Sequence, residues 1–304
     1  MSDIKQEVQQ FYDQVGWQPV GEDAEMGAIY QNARYEDLRP VAQEYIHRCH
    51  LRVARHLKPH GRFLLDAGSG PVQYPEYLVY ARDYQYRVCA DISLTALKEA
   101  QKRIGEKGLY VVTDVASLPF KAEAFDGIVS LHTIHHLPED EHLQAYQELY
   151  RVLLPHSKAA VVNGWPDSRL MRLSEPFIKL GQRLRHRYNR GNTHEKEAVV
   201  AKEADSPITP STDDVASESA SSDSNRKGTF TSRHNVSWIK NVVGGQMRVE
   251  ILVWRTVSVR FLRALIHPRL GGRTWLRLLY WLEERFPHFF GENGKYPLIV
   301  ISKP

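Results

Sequence analysis

The chain has 304 residues, with 42% hydrophobic and 25% charged residues and a formal net charge of +4. These values are typical of an ordinary globular protein, and the net charge is too small to indicate nucleic-acid binding by itself. The two cysteines exclude a disulfide framework, the first residues lack the apolar core of a signal peptide, and no apolar run approaches the roughly 20 residues of a membrane span. We therefore expect a cytoplasmic protein.

Residues 1–60 are predicted to form a helical lid. Apolar residues recur at helical spacing from Ile4 to Tyr12, and a second helix is expected from Leu38 to Leu57. The motifs Phe11-Tyr12-Asp13 and Gly16-Trp17 either lie over a ligand site or simply pack against the core. The sequence leaves these two alternatives open.

Residues 61–165 are predicted to form an α/β core. Short apolar runs alternate there with amphipathic stretches, and continuous apolar strands between helices indicate a parallel sheet covered on both faces. A helix is expected at 143–153. The expected strands are 63–65, 86–92, 109–113, 125–131 and 159–162.

This pattern breaks in residues 166–231. A basic stretch at 169–190 is predicted to be helical. Residues 194–227 are rich in Ser, Asp and Glu and have almost no large apolar side chains. Such a composition buries too little surface to offset the entropy of ordering, so a disordered loop is predicted.

Residues 232–304 are predicted to complete the sheet. Strands are expected at 247–257 and 296–302, with amphipathic helices at 259–286 inserted between them. The segment 248–285 contains eight arginines interleaved with aromatic side chains. Such helices suit an anionic membrane surface or a lipid-like substrate, or they are a helical cap with solvated arginines. Nothing in them is typical of an RNA-binding module, so nucleic acid is disfavoured as a partner.

Residues 63–71 are typical of a strand that enters a glycine turn and then a helix. A P-loop is excluded because no Lys-Ser/Thr pair is present, and a dinucleotide fingerprint would need glycine where this chain has Gln73. Pro71 has no N–H to offer a pyrophosphate. A carboxylate at Asp66 followed by Gly68-Ser69-Gly70 suits a ligand with an ammonium group and a sulfonium centre, because the acid attracts positive charge and glycine permits close approach.

Four motifs follow one another in register at predicted strand ends. They are Leu65–Gly70, Asp91 within Val88–Ile92, Thr113-Asp114-Val115, and Phe125–His132 with His135-His136-Leu137. On these motifs the sequence, from about residue 62 to 165, resembles the class I S-adenosylmethionine-dependent methyltransferase superfamily. Within it, the likeness is greatest to the ubiquinone/menaquinone-biosynthesis branch of small-molecule methyltransferases.

The resemblance implies an α/β, Rossmann-like methyltransferase sheet of seven strands, with the last strand antiparallel and with helical cap insertions. It implies S-adenosyl-L-methionine as the cofactor, held mainly by residues 61–165, with Asp91 on the ribose hydroxyls. Ligands of open α/β sheets bind at the carboxyl ends of strands, where these motifs fall. The cofactor-binding residues expected are Asp66, Gly68, Ser69, Gly70, Asp91, Ile92, Asp114, Val115 and Ser130. The family often has a small residue where Val72 stands, and Val72 is expected to narrow the approach to the methionine moiety.

Three histidines follow the fourth motif's strand. They lie at a strand end and in a loop without a third-ligand pattern, so no metal site is predicted. An imidazole can serve as a general base, and His132 and His135 are the catalytic candidates, while His136 is expected to pack or cap the next helix. Methyl transfer can also proceed without a base, because alignment of donor and acceptor supplies much of the acceleration.

The expected activity is methyl transfer by in-line displacement to a small-molecule acceptor that is quinone-, polyketide- or lipid-like. Two alternatives stay open: a non-catalytic S-adenosylmethionine-binding protein, and a peripheral membrane protein that keeps the same fold. The second alternative places the arginine- and tryptophan-rich C-terminal helices at a membrane surface.

Overall fold

The structure is a computed structural model that describes residues 2–23, 27–196 and 229–304. Nearly all of the disordered loop predicted at 194–227 lies outside the described residues. Its first residues, 194–196, belong instead to the end of a long helix, so the helix continues beyond the predicted limit at 190.

The N-terminal region is only partly helical, which corrects the prediction for residues 1–60. Helix α1 (Asp3–Phe11) continues into a π-helical turn (Tyr12–Gly16), but strands β1 (Pro19–Asp23) and β2 (Gly27–Tyr30) then pair as an antiparallel hairpin. The second helix, α2 (Gln43–Leu51), is shorter than expected. Pro19 and the glycines of this region favour turns and extended chain over helix.

The remaining described elements alternate between strands and helices along the core. They are β3 (Gly61–Ala67), α3 (Pro75–Val79), β4 (Tyr84–Asp91), α4 (Leu94–Ile104), β5 (Gly108–Val112), β6 (Phe125–Leu131), α5 (His142–Val152), β7 (Leu153–Val162), α6 (Arg169–Lys196), α7 (Val236–Trp238), β8 (Arg248–Arg255), α8 (Val259–Leu265), α9 (Gly272–Arg285), α10 (Pro287–Asn293) and β9 (Tyr296–Lys303). The strands and the α5 helix predicted from periodicity are confirmed within about two residues, except that β7, predicted at 159–162, already begins at Leu153.

Among the described residues, strands β3 to β9 form one seven-stranded sheet in the order β5-β4-β3-β6-β7-β9-β8. Strands β3 to β7 pair in parallel, and β9 runs antiparallel to both β7 and β8. The predicted α/β class, with seven strands and an antiparallel last strand, is confirmed. The segment α8–α10 lies between β8 and β9 in the chain, as the sequence indicated.

Two apolar layers cover the sheet. Leu65, Ile128 and Ile299 pack on the face that α5 covers, whereas Leu64 and Val129 pack on the opposite face. Neighbouring residues of a strand point to opposite faces, so strands with both faces buried are apolar throughout. No helix in the described ranges is both long and apolar enough to cross a membrane.

A buried carboxylate joins the C-terminal helices to the rest of the molecule. Glu283 on α9 is completely buried, and it accepts hydrogen bonds from the Tyr45 hydroxyl at 2.7 Å and from the Thr256 amide at 3.0 Å. Its second oxygen lies 2.9 Å from a guanidinium nitrogen of Arg52, which also binds the more exposed Glu284. Charges removed from water need such partners, so this network fixes α9 against α2 and the end of β8.

We expect Glu283→Gln to lower the free energy of unfolding by about 3–5 kcal/mol, because it leaves buried Arg52 without its main counter-charge. The matched control is Glu284→Gln, on the same helix and with the same partner. Its carboxylate is 35% exposed, so the loss should stay below about 1 kcal/mol. Urea denaturation measures both, and equal losses would contradict this account of the network.

Candidate functional site

The glycine turn after β3 has the backbone conformation that its sequence predicts. The amides of Gly68 and Ser69 donate to the carbonyl of Ala90 at 2.7 and 3.3 Å. Gly68 and Gly70 have φ angles of +76° and +53°, a region that favours glycine. A Cβ on Gly68 would lie 2.1 Å from the side chain of Thr133. Only glycine therefore fits beside Thr133 at this position of the turn.

Asp91 ends β4 beside this turn. Its carboxylate accepts hydrogen bonds from the Gly70 amide at 2.8 Å and from the Ser93 amide at 2.9 Å. Burial raises its pKa to about 6, against the opposing effect of these two amides. A carboxylate has about four lone-pair sites, so two stay available for the hydroxyls of a ribose.

Asp66 lies near the end of β3, within the first of the four motifs, and its carboxylate is paired with Arg87. Both Nε and Nη2 of Arg87 donate to it, and both side chains are buried. Asp66 lies on the same face of β3 as Leu64, because alternate strand residues share a face. Its charge is thus already balanced, and any attraction for an ammonium group would act through this pair. The predicted cofactor contact of Asp66 stays a prediction.

The other predicted contacts lie along the same edge of the sheet. Asp114 forms an ion pair with Lys5 and accepts from the Ala116 amide at 2.9 Å, while Val115 is buried in the core. The carbonyl of Ile92 accepts from the side chain of Gln9 at 3.0 Å. The structure thus brings the ends of β4 and β5 together under helix α1.

Ser130 is the predicted contact that lies deepest. It is completely buried near the end of β6, and its hydroxyl donates to the carbonyl of Ala67 at 2.8 Å. This bond ties β6 to the end of β3, next to the glycine turn. Its predicted cofactor contact also stays a prediction.

The N-terminal segment, residues 2–18, lies directly over this edge. Buried Lys5 pairs with Asp114 and with Glu141, and Asp13 accepts from the Ser93 hydroxyl. The indole of Trp17 covers the glycine turn, since a Cβ on Gly70 would lie 2.9 Å from it. The segment packs on the core at the predicted site, and its role as a lid stays a prediction.

His136 joins this segment to the loop after β6. Its Nδ1 lies 2.8 Å from the carbonyl of Phe230, which can only accept, so Nδ1 carries the proton. Burial lowers the pKa of His136 to about 4, so the ring is neutral and its Nε2 accepts from the Tyr12 hydroxyl at 2.8 Å. Both ring nitrogens are used, and His136 is a structural link between the cover and the core.

His132 and His135 lie nearer the other half of the sheet. His132 has a φ of +57°, which a non-glycine residue adopts only under constraint from its surroundings. Burial lowers the pKa of His132 to about 3, and burial also lowers that of His135, whose Nδ1 lies 3.3 Å from the Asn163 side-chain oxygen. Both rings are neutral at physiological pH and are weak bases. Their predicted role in proton transfer stays a prediction.

Val72 does not narrow the site, contrary to the expectation from sequence. Its φ of +54° turns the completely buried side chain into the core, where it packs with Cys89, Leu97 and Ala100. A left-handed, β-branched residue is strained by about 1–3 kcal/mol. The side chain therefore lies under helix α4 and away from the glycine turn.

A second group, the buried polar cluster, consists of Glu36, His50, Trp254 and Arg255. Arg255 at the end of β8 binds Glu36, and the Nε2 of His50 lies 3.6 Å from the same carboxylate. Against the effect of burial, Arg255 and His50 lower the pKa of Glu36 to about 2. Burial would lower the pKa of His50, but Glu36 and Glu76 raise it, which favours the imidazolium.

This cluster lies beside His132, where the strands of the other half-sheet end. The edge of the His132 ring faces Trp254 at 5.1 Å between centroids, and the His50 ring stacks parallel to Trp254 at 5.3 Å. The cluster could not be predicted from the sequence, because Glu36, His50 and Trp254 are far apart in the chain. Only the arginine-aromatic character of 248–285 pointed towards it.

The residues present fit S-adenosylmethionine. A buried carboxylate with free lone pairs lies beside the glycine turn, at the strand ends where ligands of such sheets bind. Asp91 would hold the ribose hydroxyls, and the Gly68–Gly70 backbone would face the methionine moiety. When bound, the cofactor supplies an activated methyl group on sulfur.

Comparison with known proteins agrees with this geometry. Residues 65–161 match the family model described as a methyltransferase domain. The matched segment includes β4, β5, β6 and the glycine turn, and it therefore contains the residues expected to bind the cofactor. The remaining cap elements lie outside the match.

One relative is the tRNA (carboxymethyluridine(34)-5-O)-methyltransferase alkbh8 of Xenopus tropicalis, which is 29% identical over 139 residues, covering 40% of this chain and 21% of the relative. The chain thus spans about a fifth of that relative's length. Among solved structures, the [4+2]-cyclase SpnF is 17% identical to this chain. The match covers 98% of this chain and 96% of the SpnF chain, with a TM-score of 0.49. Phosphoethanolamine N-methyltransferase 2 of Haemonchus contortus is 13% identical to this chain. The match covers 91% of this chain and 62% of that enzyme, with a TM-score of 0.47. Neither structural likeness indicates an activity.

The raised pKa of Asp91 predicts pH-dependent cofactor binding. Below about pH 6 the carboxyl group is protonated and loses acceptor sites, so S-adenosylhomocysteine affinity should fall about tenfold per pH unit. In Asp91→Asn the affinity should be more than tenfold lower at pH 7.5 and nearly independent of pH. Calorimetric titration between pH 5 and 8 measures both.

The unliganded protein provides the control for this assignment. Because its folded-state pKa is raised, Asp91 should make the unliganded protein less stable as pH rises from about 4 to 6, the opposite sign to the effect on affinity. A pH-independent affinity in the wild type, or wild-type affinity in Asp91→Asn, would contradict the assignment.

Proposed function

We propose that this chain, a class I S-adenosylmethionine-dependent methyltransferase, transfers its methyl group to a small-molecule acceptor that is quinone-, polyketide- or lipid-like. The observation that carries the proposal is the buried polar cluster beside His132. It lies at the ends of β6 and β8, next to the strand ends that would hold the cofactor. Enclosed side chains of this kind can surround a small acceptor. We propose, on the same grounds, that the chain belongs to the ubiquinone/menaquinone-biosynthesis branch of these enzymes.

The reaction proposed is in-line displacement: the acceptor would bond to the methyl carbon as the carbon–sulfur bond breaks, and S-adenosylhomocysteine would leave. We assign residues 1–60 the role of a lid and residues 61–165 that of the cofactor-binding core. Lys5 and Trp17 keep water from the reacting centre, and Asp91 and the glycine turn fix the donor's position. Neutral His132 and His135 accept hydrogen bonds and take up a proton only transiently, because their pKa values are low.

A tRNA acceptor is the competing possibility raised by the relative from Xenopus. Against it stand the paired arginines of the C-terminal segment: Arg255 binds Glu36, Arg260 binds Glu175 and Arg277 binds Glu44. Such pairs neutralise charge that a phosphate backbone would otherwise use. The aromatic side chains around His132 are also buried, whereas nucleotides need an accessible surface.

The proposal is tested by incubating the protein with S-adenosylmethionine and one acceptor at a time: a naphthohydroquinone, a polyketide phenol, phosphatidylethanolamine or tRNA. We expect S-adenosylhomocysteine to form with at least one small acceptor and not with tRNA. Asp91→Asn serves as the control and should reduce the rate at subsaturating cofactor by more than tenfold. Turnover with tRNA alone would refute the acceptor class, and cofactor binding without turnover on any acceptor would favour the non-catalytic alternative.

We also propose that helix α9 contacts an anionic membrane surface. Trp275, Leu278 and Trp281 are 63%, 45% and 59% exposed and recur every three residues, on the side of α9 opposite buried Leu276. Exposed arginines flank them, including Arg285. Tryptophan beside arginine is typical of helices that lie in a membrane interface.

We expect the wild-type protein to float with phosphatidylglycerol vesicles at low salt, and much less with phosphatidylcholine vesicles. The double substitution Trp275→Ala, Trp281→Ala should reduce the bound fraction about tenfold or more, since each buried indole contributes about 1.5–3 kcal/mol. The matched control is Val112→Ala, an exposed apolar residue on the edge strand β5. Absence of flotation by the wild type would refute membrane contact and leave the methyltransferase proposal intact.

A further inference from the structure

Besides the Nε2 of His50, which lies 3.6 Å from Glu36, two N–H donors of the buried polar cluster have no acceptor among the described residues. Trp254 and Arg255 are 1% and 2% exposed, yet among the described residues nothing accepts from the indole Nε1 of Trp254 or from the Nε of Arg255. Folded proteins rarely leave buried donors unpaired. The neighbouring Nη1 of Arg255 does have its partner, Glu36. Glu36 thus holds the Arg255 side chain in place, while the Nε–H of the same guanidinium has no acceptor.

The other fully buried indole, that of Trp165, does have a hydrogen-bond acceptor. Trp165 is 2% exposed, like Trp254, and its Nε1 donates to the carbonyl of Gly291 at 2.8 Å. Trp165 therefore shows how this fold treats an indole that serves structure alone. The free N–H of Trp254 indicates a partner from outside the chain.

The surroundings of Trp254 indicate the shape and charge of that partner. Aromatic rings face the indole from three sides: His50 stacks on it at 5.3 Å, and the edges of His132 and Tyr296 lie at 5.1 and 5.9 Å. Surroundings made of aromatic rings favour an aromatic partner, because ring–ring contacts are stabilising. Arg255 and His50 are matched by Glu36 and Glu76, so the cluster has no excess positive charge for an anion.

The cluster also lies close to the expected position of the donor methyl group. His132 contacts Trp254 and is followed in the chain by Thr133, whose hydroxyl lies 3.2 Å from the carbonyl of Gly68 in the glycine turn. A ligand bound by Trp254 and Arg255 would therefore lie on the acceptor side of that turn.

We infer that Trp254 and Arg255 bind the oxygen of a flat, uncharged aromatic acceptor, of the phenol or hydroquinone class. The inference rests on the proposed function, because it assigns the acceptor subsite of the same enzyme. The two N–H groups donate to that oxygen, while the rings of His50 and Tyr296 bound the plane of the ligand. The oxygen of the ligand decides the specificity, because an aromatic ring without it would leave the N–H groups of Trp254 and Arg255 buried and unpaired.

The experiment uses protein saturated with S-adenosylhomocysteine and three probes of one shape: 2-naphthol, naphthalene and the anion 2-naphthoate. We expect 2-naphthol to bind about tenfold or more tightly than either of the others. Trp254→Phe removes the donor and keeps the ring, so it should abolish most of the preference for 2-naphthol over naphthalene. Fluorescence or calorimetric titration measures each affinity.

Trp165→Phe is the matched control, and thermal unfolding of the unliganded variants separates a binding role from a structural one. Trp165→Phe should lower the melting temperature and leave the preference for 2-naphthol intact, because it removes a hydrogen bond that the fold uses. Trp254→Phe should leave the melting temperature unchanged or raise it.

Wild-type preference for 2-naphthol in Trp254→Phe would overturn the inference, and so would equal binding of naphthalene or tighter binding of 2-naphthoate by the wild-type protein. A melting temperature for Trp254→Phe as low as that of Trp165→Phe would also overturn it. Failure of S-adenosylhomocysteine to bind, measured before any probe is added, would instead refute the proposed function itself and the inference with it.

Discussion

The parallel pairing of β3 to β7 determines where the candidate cofactor site lies. Parallel strands place all their carboxyl ends at one edge, so residues that are far apart in the chain meet there. The glycine turn, Asp91 and His132 each follow or end a different strand, yet they share that edge. Reversal at β9 brings the N-terminal end of the last strand to the same edge and adds Tyr296 to the site.

The sheet could be predicted from sequence because its information is local. Apolar runs, the glycine turn and the acid ending β4 are each recognisable within about ten residues, and the structure places them as expected. The N-terminal hairpin was missed, since helical spacing before it and after it suggested a continuous helical region. Contacts such as Lys5 with Asp114 were also missed, because a pairing between residues 109 positions apart leaves no periodic signal.

The partners of the C-terminal arginines also could not be predicted from the sequence. Sequence revealed their number and their aromatic neighbours, which suggested a solvated cap, a membrane surface or a lipid site. The structure separates them by partner. Arg255 is buried against Glu36, Arg277 lies on the surface against Glu44, and Arg260 pairs with Glu175 of α6. The sequence shows how many arginines there are, but only the fold shows which carboxylate pairs with each one and therefore what role it has.

The position of residues 2–18 has a consequence for the kinetics of the enzyme. Lys5, Asp13 and Tyr12 each bind a different part of the core. If this segment is the proposed lid, we expect its opening, and not the chemical step, to limit steady-state turnover. Acceptors of very different nucleophilicity should for that reason be consumed at similar maximal rates, preceded by a rapid first turnover whose speed does depend on the acceptor.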